Sequence, residues 1–268
     1  MTKEKLSIVK IGGNIIDNPV ALEQFLTDFY HLEGRRLLVH GGGVMASKMA
    51  TQLGLETKMA QGRRITDAET LKLVTMVYAG WINKYIVASL QKIGCNAIGL
   101  SGADGNTIPS HQRSPIPVDY GYVGDPNTDK MNTEFLSKLI DMGATPVFCA
   151  ITHDGNGQLL NTNADTVAYS LSSSLSKHYN TSLYYCFEKE GVLRDLNDPD
   201  SIIPSMTQAE SEIYKQMGVI ADGMLPKIDN SFRAMEKGVN EVIILHAKNL
   251  ISKKGTILLN YRDGESKP

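Results

Sequence analysis

A lysine interrupts an apolar, β-branched run near the start of the chain, and two glycines follow it: Lys10 stands in LSIVKIGGNIID, with Gly12 and Gly13 behind it. An ammonium group inside such a run is costly to desolvate unless an anion meets it, and paired glycines let backbone N–H groups come close to a ligand. The stretch therefore points to an anion site. A second glycine turn, HGGG at His40–Gly43, closes another apolar run and opens a helical segment, where several N–H donors meet the positive end of a helix. Two later segments carry charge where helices begin: NTNAD, Asn161–Asp165, and ADGMLPK, Ala221–Lys227. Alone, Asp165 reads as a helix cap and Lys227 as a solvated surface charge. Taken with Lys10 and the glycine turns, they form a set of two ammonium groups, one carboxylate and many backbone donors. Such a set suits a phosphoryl group in transit, whose charge spreads over oxygens and is stabilised by positioned cations and N–H groups.

The elements that must position these residues follow from hydrophobic periodicity. Apolar runs at Leu6–Ile11, Leu37–His40, Ala97–Leu100, Val147–Ile151, Leu183–Phe187, Val242–His246 and Ile257–Leu259 alternate with segments of helical period. This predicts an α/β fold, a three-layer αβα sandwich around a mostly parallel central sheet. Asn18 and Pro19 predict a helix start, with Leu22, Phe25, Leu26 and Phe29 on one face. Thr66 and Glu69 predict a capping box for a helix that carries the stripe Leu71, Val74, Val77, Trp81 and Tyr85, a core face or subunit contact, until Gly94 ends it. Residues 101–132 are rich in turn formers and read as loop plus hairpin, and Asp154-Gly155 marks a turn before a helix starting near Ala164. Two lobes, 1–175 and 176–268, are predicted to share one continuous sheet.

The bulk numbers narrow the partners. With 268 residues, 42% of them hydrophobic, the chain can bury a full core, and a formal net charge of -2 gives no basic footprint for nucleic acid or an anionic membrane. No apolar run approaches a membrane span, and Met1–Lys5 leads into the first strand without a signal-peptide core, which predicts a cytoplasmic protein. Cys95, Cys149 and Cys186 are odd in number and set in apolar surroundings, so they read as buried reduced thiols, and no metal site is read. Gly41, Gly43 and Ala46 satisfy a dinucleotide-binding pattern, but LETKMAQGRRIT supplies no second strand with an acidic end.

Five motifs, KIGG (Lys10–Gly13), HGGG (His40–Gly43), GRRIT (Gly62–Thr66), NTNAD (Asn161–Asp165) and DGMLPK (Asp222–Lys227), stand in the order and at about the spacing found in the amino acid kinases. The chain resembles that family over essentially its whole length. The resemblance implies ATP-dependent phosphorylation of the γ-carboxylate of an N-acylated glutamate, with Mg²⁺, in arginine biosynthesis. It implies that Lys10 and Lys227 hold the β- and γ-phosphates and the transition state, and that Asp165 positions both. Gly42 and Gly43 would approach the acceptor's side-chain carboxylate, and Arg64 and Asn161 would hold its α-carboxylate. Gly12, Gly13, Glu188, Gly191, Val192, Leu193, Asp222 and Gly223 would lie around the nucleotide, whose phosphates would largely hold the ion. That makes residues 1–175 the acceptor-binding lobe and 176–268 the nucleotide-binding lobe. The chain departs from the pattern at Phe187-Glu188, where relatives often carry Ser or Thr followed by Asp, and at Pro226, which stiffens the approach to Lys227.

The residue chemistry agrees with that reading. A γ-carboxylate with a reference pKa of about 4.3 is ionised at neutral pH and needs no general base. The planar fork of Arg64 can bind both oxygens of a carboxylate. Acetyl needs a small apolar pocket, whereas succinyl adds a carboxylate and calls for another cation, for which Lys58, Arg63 and Lys130 are candidates. Arginine-inhibited relatives carry an extra N-terminal helix, and here the first strand begins by Leu6, so a homodimer formed through helices on one sheet edge, without arginine feedback, is expected. A non-catalytic sensor of nucleotide or amino acid is the alternative from another class; it would tolerate loss of Lys10 or Lys227, and both are present.

Overall fold

The computed structural model describes residues 3–260, apart from Leu196, Pro199, Ala221 and the side chain of Asp222. In chain order the elements are β1 (Lys5–Ile11), α1 (Gly13–Ile16), α2 (Pro19–Tyr30), β2 (Arg35–His40), α3 (Gly43–Gln52), β3 (Met59–Ala60), β4 (Arg63–Arg64), α4 (Ala68–Thr75), α5 (Asn83–Lys92), β5 (Ala97–Leu100), β6 (Ser110–Gln112), β7 (Gly124–Pro126), α6 (Thr133–Asp141) and β8 (Thr145–Cys149). They continue with β9 (Ile151–His153), β10 (Leu159–Asn161), α7 (Ala164–Leu175), β11 (Asn180–Phe187), β12 (Ser205–Thr207), α8 (Gln208–Gln216), α9 (Leu225–Glu236), β13 (Glu241–His246) and β14 (Gly255–Leu259). Each of the seven apolar runs contributes a strand to one eight-stranded sheet of order β12-β14-β13-β11-β1-β2-β8-β5, parallel throughout except where β14 runs antiparallel to β13. The run at Val147–Ile151 leaves it after Cys149, and Ile151 starts β9, which pairs with β10. The eighth strand, β12, is short and polar and pairs with β14 at the edge, a position that needs little apolar character.

Strand alternation sorts the core into two layers. Val9 and Ile11 of β1, Leu38 of β2 and Tyr184 and Cys186 of β11 pack with α2, α4 and α5. Leu6 and Ile8, Leu37 and Val39, and Leu183 and Tyr185 pack on the other face with α6, α7 and α9. Lys10 shares the parity of Leu6 and Ile8, so the strand delivers its side chain to the α7/α9 face at the carboxyl end of β1. The three cysteines are free and buried.

Helix α2 is capped as the sequence predicts, with Asn18 accepting from the Ala21 N–H, Pro19 at the first position, and Leu22, Phe25, Leu26 and Phe29 buried. The long helix after it departs from prediction at two points. Its cap is Asp67, which accepts from the Thr70 N–H, while Thr66 is buried and engaged elsewhere, so the Thr66–Glu69 capping box does not form. Between α4 and α5 the chain adopts a π-helical segment, Met76–Ile82, which inserts one extra residue into the face. The buried stripe therefore runs Leu71, Val74, Val77, Tyr78, Ile82, Ile86 and Leu90, and Trp81 and Tyr85 are turned out, 62% and 44% exposed. Gly94, at φ +85°, ends the helix in the left-handed conformation that favours glycine.

The continuous helix Ala68–Lys92 is 25 residues long and apolar enough to match a membrane span by length and composition, which the sequence reading does not anticipate. Its inner stripe packs on the sheet, as a core helix of a globular domain does. Truncating a fully buried side chain should reveal how tightly this sandwich is packed. Phe148→Ala on β8 should lower unfolding free energy by about 3–5 kcal/mol, whereas Met142→Ala at an exposed site should change it by less than about 0.5 kcal/mol, both read from urea titrations.

Candidate active site

Helices α7 and α9 both start at the carboxyl end of the sheet, on the face that receives Lys10. The Asn163 side chain caps α7 by accepting from the N–H groups of Asp165 and Thr166, so Asp165 is relieved of capping. Its carboxylate instead meets two lysines. Lys227 Nζ, in the first turn of α9, donates to Oδ2 at 2.7 Å. Lys10 Nζ stands 2.8 Å from Oδ1, a close ion pair whose angle falls short of hydrogen-bond geometry. The side chains are 6% (Asp165), 12% (Lys10) and 15% (Lys227) exposed. Burial alone would push the Asp165 pKa up; the two ammonium groups outweigh it and hold the carboxyl at about 2. Tyr185, paired in register with Lys10, donates its hydroxyl to the Asp165 carbonyl at 3.2 Å and fixes the start of α7.

The second glycine turn leads from β2 into α3. Gly42 is the N-cap and offers no side-chain cap, and the N–H groups of Gly42 and Gly43 have no acceptor among the described residues. A side chain at Gly42 would collide with Ile82 and with the Tyr78 ring, 2.7 Å from its Cδ1, so only glycine lets this backbone pass. The turn lines a cavity of about 220 Å³ together with Arg64, Tyr78, Arg113, Val123 and residues 161–164. Arg64 donates through Nη2 to the Gly43 carbonyl (3.0 Å) and Ser47 Oγ (2.8 Å), and through Nη1 to Thr57 Oγ1 (3.3 Å). Three of its five donors are thus used, two of them in bracing α3 and one on Thr57. Burial raises the Tyr78 hydroxyl pKa, and the neighbouring Arg64 guanidinium opposes that rise. Asn161 ends β10; its Nδ2 donates to Thr66 Oγ1 at 3.0 Å and its N–H to the Tyr122 carbonyl.

The residues assigned to the nucleotide by sequence are more scattered. Gly12 caps the short α1, its N–H bonded to the Cys186 carbonyl, and Gly13 faces Val44. Gly191, Val192 and Leu193 are packed: the Val192 N–H donates to Thr256 Oγ1, and a side chain at Gly191 would stand 2.7 Å from that oxygen. Glu188 lines a separate cavity with Asn14, Asn18 and His246, on the α2 side of the sheet. Gly223 lies in the turn Asp222–Met224 and its carbonyl accepts from Lys227 Nζ at 3.3 Å, whereas the Asp222 side chain lies outside the described residues.

Sequence reasoning missed Tyr78 and Arg113. Tyr78 reaches the cavity only because of the π-helical segment. Arg113 is held by Asp125 through Nε at 3.0 Å and through Nη2, and its buried Nη1 has no hydrogen-bond partner among the described residues. Of the three cations considered for a second substrate carboxylate, Arg63 lines the cavity, Lys58 pairs with Glu56 at the surface, and Lys130 is not among the lining residues.

A mostly parallel sheet that gathers two lysines and the uncapped start of α3 at the carboxyl ends of its central strands defines an α/β protein built to handle anions. Residues 5–246 match the amino acid kinase family, and the chain belongs to it. It is 52% identical over 256 residues to the acetylglutamate kinase of Phocaeicola vulgatus, covering 96% of this chain and 99% of that one. The acetylglutamate kinase of Bacteroides thetaiotaomicron is 53% identical (95% and 98% covered), and that of Methanopyrus kandleri 35% (94% and 100%). Among solved structures, N-acetylglutamate synthase from Neisseria gonorrhoeae, complexed with coenzyme A and N-acetyl-glutamate, superposes with a TM-score of 0.81 at 21% identity over 98% of this chain and 61% of that one. Carbamate kinase from Giardia lamblia, bound to AMP-PNP, gives 0.66 at 14% identity, over 97% and 99%. These two share the fold.

Two buried groups give the site an acid-side signature. Burial holds the His40 pKa at about 4, below its usual 6.5, so the stability of keeping it neutral is complete above pH 6.5 and is lost as pH falls toward 4. Asp165 acts lower, its contribution complete above pH 3.8 and lost toward 2. Stability measured by urea unfolding should fall by about 3 kcal/mol between pH 6.5 and 4 on account of His40, and His40→Asn should flatten that slope.

Proposed function

We propose that the chain transfers the γ-phosphoryl group of ATP to the γ-carboxylate of N-acetyl-L-glutamate, a step of arginine biosynthesis, in the cytoplasm. The observation that carries this reading is the carboxylate of Asp165 shared by Lys10 and Lys227, beside a cavity lined by Gly42, Gly43, Arg64 and Asn161. The full-length similarity to acetylglutamate kinases supports the choice of acceptor.

In this mechanism the acceptor's γ-carboxylate lies against the free N–H groups of Gly42 and Gly43 at the positive end of α3. The remaining donors of Arg64 and the amide of Asn161 hold the α-carboxylate and so fix the direction of attack. A carboxylate oxygen forms the new O–P bond, the bond from the γ-phosphorus to the bridging oxygen breaks, and ADP leaves with that electron pair. No proton moves, so no base is needed. Lys10 and Lys227 carry one net positive charge beyond Asp165 and stabilise the phosphoryl oxygens. Asp165 keeps both ammonium groups in place and is not itself the base. No group of acidic, histidine or cysteine side chains that could cage a metal ion is found among the described residues, so Mg²⁺ would arrive on the nucleotide's own phosphates.

A second acyl group is favoured by one observation: Arg63 and Arg113 line the cavity beside Arg64, and no carboxylate side chain is among its described lining residues. A succinyl group, ending in a carboxylate, would meet that positive charge. A hydroxamate-trapping assay with glutamate, acetylglutamate and succinylglutamate plus ATP tests acceptor and acyl group together. Lys10→Ala and Lys227→Ala should each reduce turnover by about 10²–10³; unchanged turnover in both would defeat the roles given to the two lysines, and no hydroxamate from any acceptor would support the non-catalytic sensor instead. If the succinyl reading holds, Arg113→Ala should raise KM for succinylglutamate more than for acetylglutamate.

The homodimer is proposed to form through the outward face of α2, the π-helical segment and α5, where Val20, Met76, Trp81 and Tyr85 are exposed and Trp81 stacks on Tyr85 at 6.0 Å. Trp81→Glu should yield monomers in sedimentation velocity, while wild-type protein sediments as a dimer.

A further inference from the structure

A peptide unit between two glycines can rotate end over end at little steric cost, because neither flanking residue has a Cβ. Gly41–Gly42 is such a unit, and its orientation matters. In a trans peptide the C=O and N–H point opposite ways, so a flip would replace the Gly42 N–H facing the cavity with a carbonyl oxygen, which repels a carboxylate. Something must hold the unit. His40 lies directly before it, fully buried, with Nδ1 2.8 Å from the Gly41 carbonyl oxygen.

The direction of that hydrogen bond is set from further away. Asn83, at the start of α5, places Nδ2 2.9 Å from the Val147 carbonyl and 3.0 Å from His40 Nε2. A carbonyl oxygen only accepts, so the amide nitrogen must be the atom on this side; Lys84 Nζ, 3.2 Å from Asn83 Oδ1, agrees with the assignment. With Nδ2 donating, His40 Nε2 is the acceptor, the ring proton sits on Nδ1, and Nδ1–H donates to the Gly41 carbonyl. The sheet is shaped around this contact: a side chain at Gly99 on β5 would collide with the Asn83 amide oxygen and stand 2.8 Å from Lys84 Nζ.

We propose that His40 is a positioning residue, its tautomer set by Asn83, which locks the Gly41–Gly42 peptide with the Gly42 N–H toward the acceptor carboxylate. This rests on the kinase reading above for the identity of the acceptor, and its core can be read without turnover.

Ring ¹⁵N NMR of the wild-type protein, with the His40 signals assigned by their loss in His40→Asn, should show the Nδ1–H tautomer; an Nε2–H tautomer overturns the proposal whether or not the protein is a kinase. Asn83→Asp, which offers His40 an acceptor in place of a donor, should move the proton to Nε2 and raise KM for the acylglutamate by about 10- to 100-fold, the scale of misaligning a bound reactant, with KM for ATP unchanged. His40→Leu should show the same selective rise, and His40→Asn, whose Nδ2 reproduces a donor near the Nδ1 position, should recover most of it. Folded variants with unchanged acceptor KM, or equal effects on acceptor and ATP, would reduce His40 to a packing residue. Absence of phosphoryl transfer in the wild type, with the Nδ1–H tautomer intact, would instead count against the kinase reading.

Discussion

A buried carboxylate shared by two ammonium groups is the constraint around which the rest of the molecule is arranged. Asp165 is nearly inaccessible, and without partners burial would drive it to the neutral form; Lys10 and Lys227 reverse that, so each of the three charges depends on the others. The geometry demands three elements at one point. Strand alternation aims Lys10 at the α7/α9 face, α7 leads into β11, which pairs with β1, and α9 leads into β13, which pairs with β11. Helices that precede adjacent parallel strands begin over the carboxyl ends of those strands, and that is where Asp165 and Lys227 sit in the first turns of α7 and α9.

The same edge separates capped from uncapped helix starts. Asn163 closes α7 with a neutral amide, which leaves the adjacent carboxylate for the lysines. The start of α3 carries no side-chain cap among the described residues, and a buried or half-buried helix start without one is a place for an anionic ligand. Positive charge and unpaired N–H groups therefore accumulate at one rim, while charges elsewhere on the surface pair locally, as with Lys72–Glu69 and Lys138–Glu134.

Much of this was legible in the sequence because it depends on local pattern. The seven apolar runs mark seven of the eight sheet strands, and an out-of-place lysine followed by glycines marks the rim. Asp165 was legible as a shared partner only once NTNAD was set beside both lysines; on propensity alone it reads as a cap. What escaped reading depends on non-local fit. Nothing near Arg113 announces that Asp125, across the β6–β7 hairpin, will hold it over the cavity. Buried Thr66 yields its capping role to Asp67 because Asn161, 95 residues later, takes its hydroxyl. The edge strand β12 owes its existence to β14 rather than to its own residues.

The π-helical segment shows how one local irregularity serves both faces of a helix. An uninterrupted α-helix from Val74 would keep the 74–77–81–85 stripe inward and bury Trp81. The extra residue advances the buried face by one position, to Tyr78, Ile82 and Ile86. Tyr78 and Ile82 thereby close against Gly42 and leave room only for backbone, while Asn83 reaches His40 behind the same turn. Trp81 and Tyr85 are released to the surface, where a large stacked aromatic pair has no intramolecular use. A π-bulge is less stable than the α-helix it replaces and persists only where its neighbours over-determine it; here the glycine turn on one side and an aromatic face on the other both depend on the altered register.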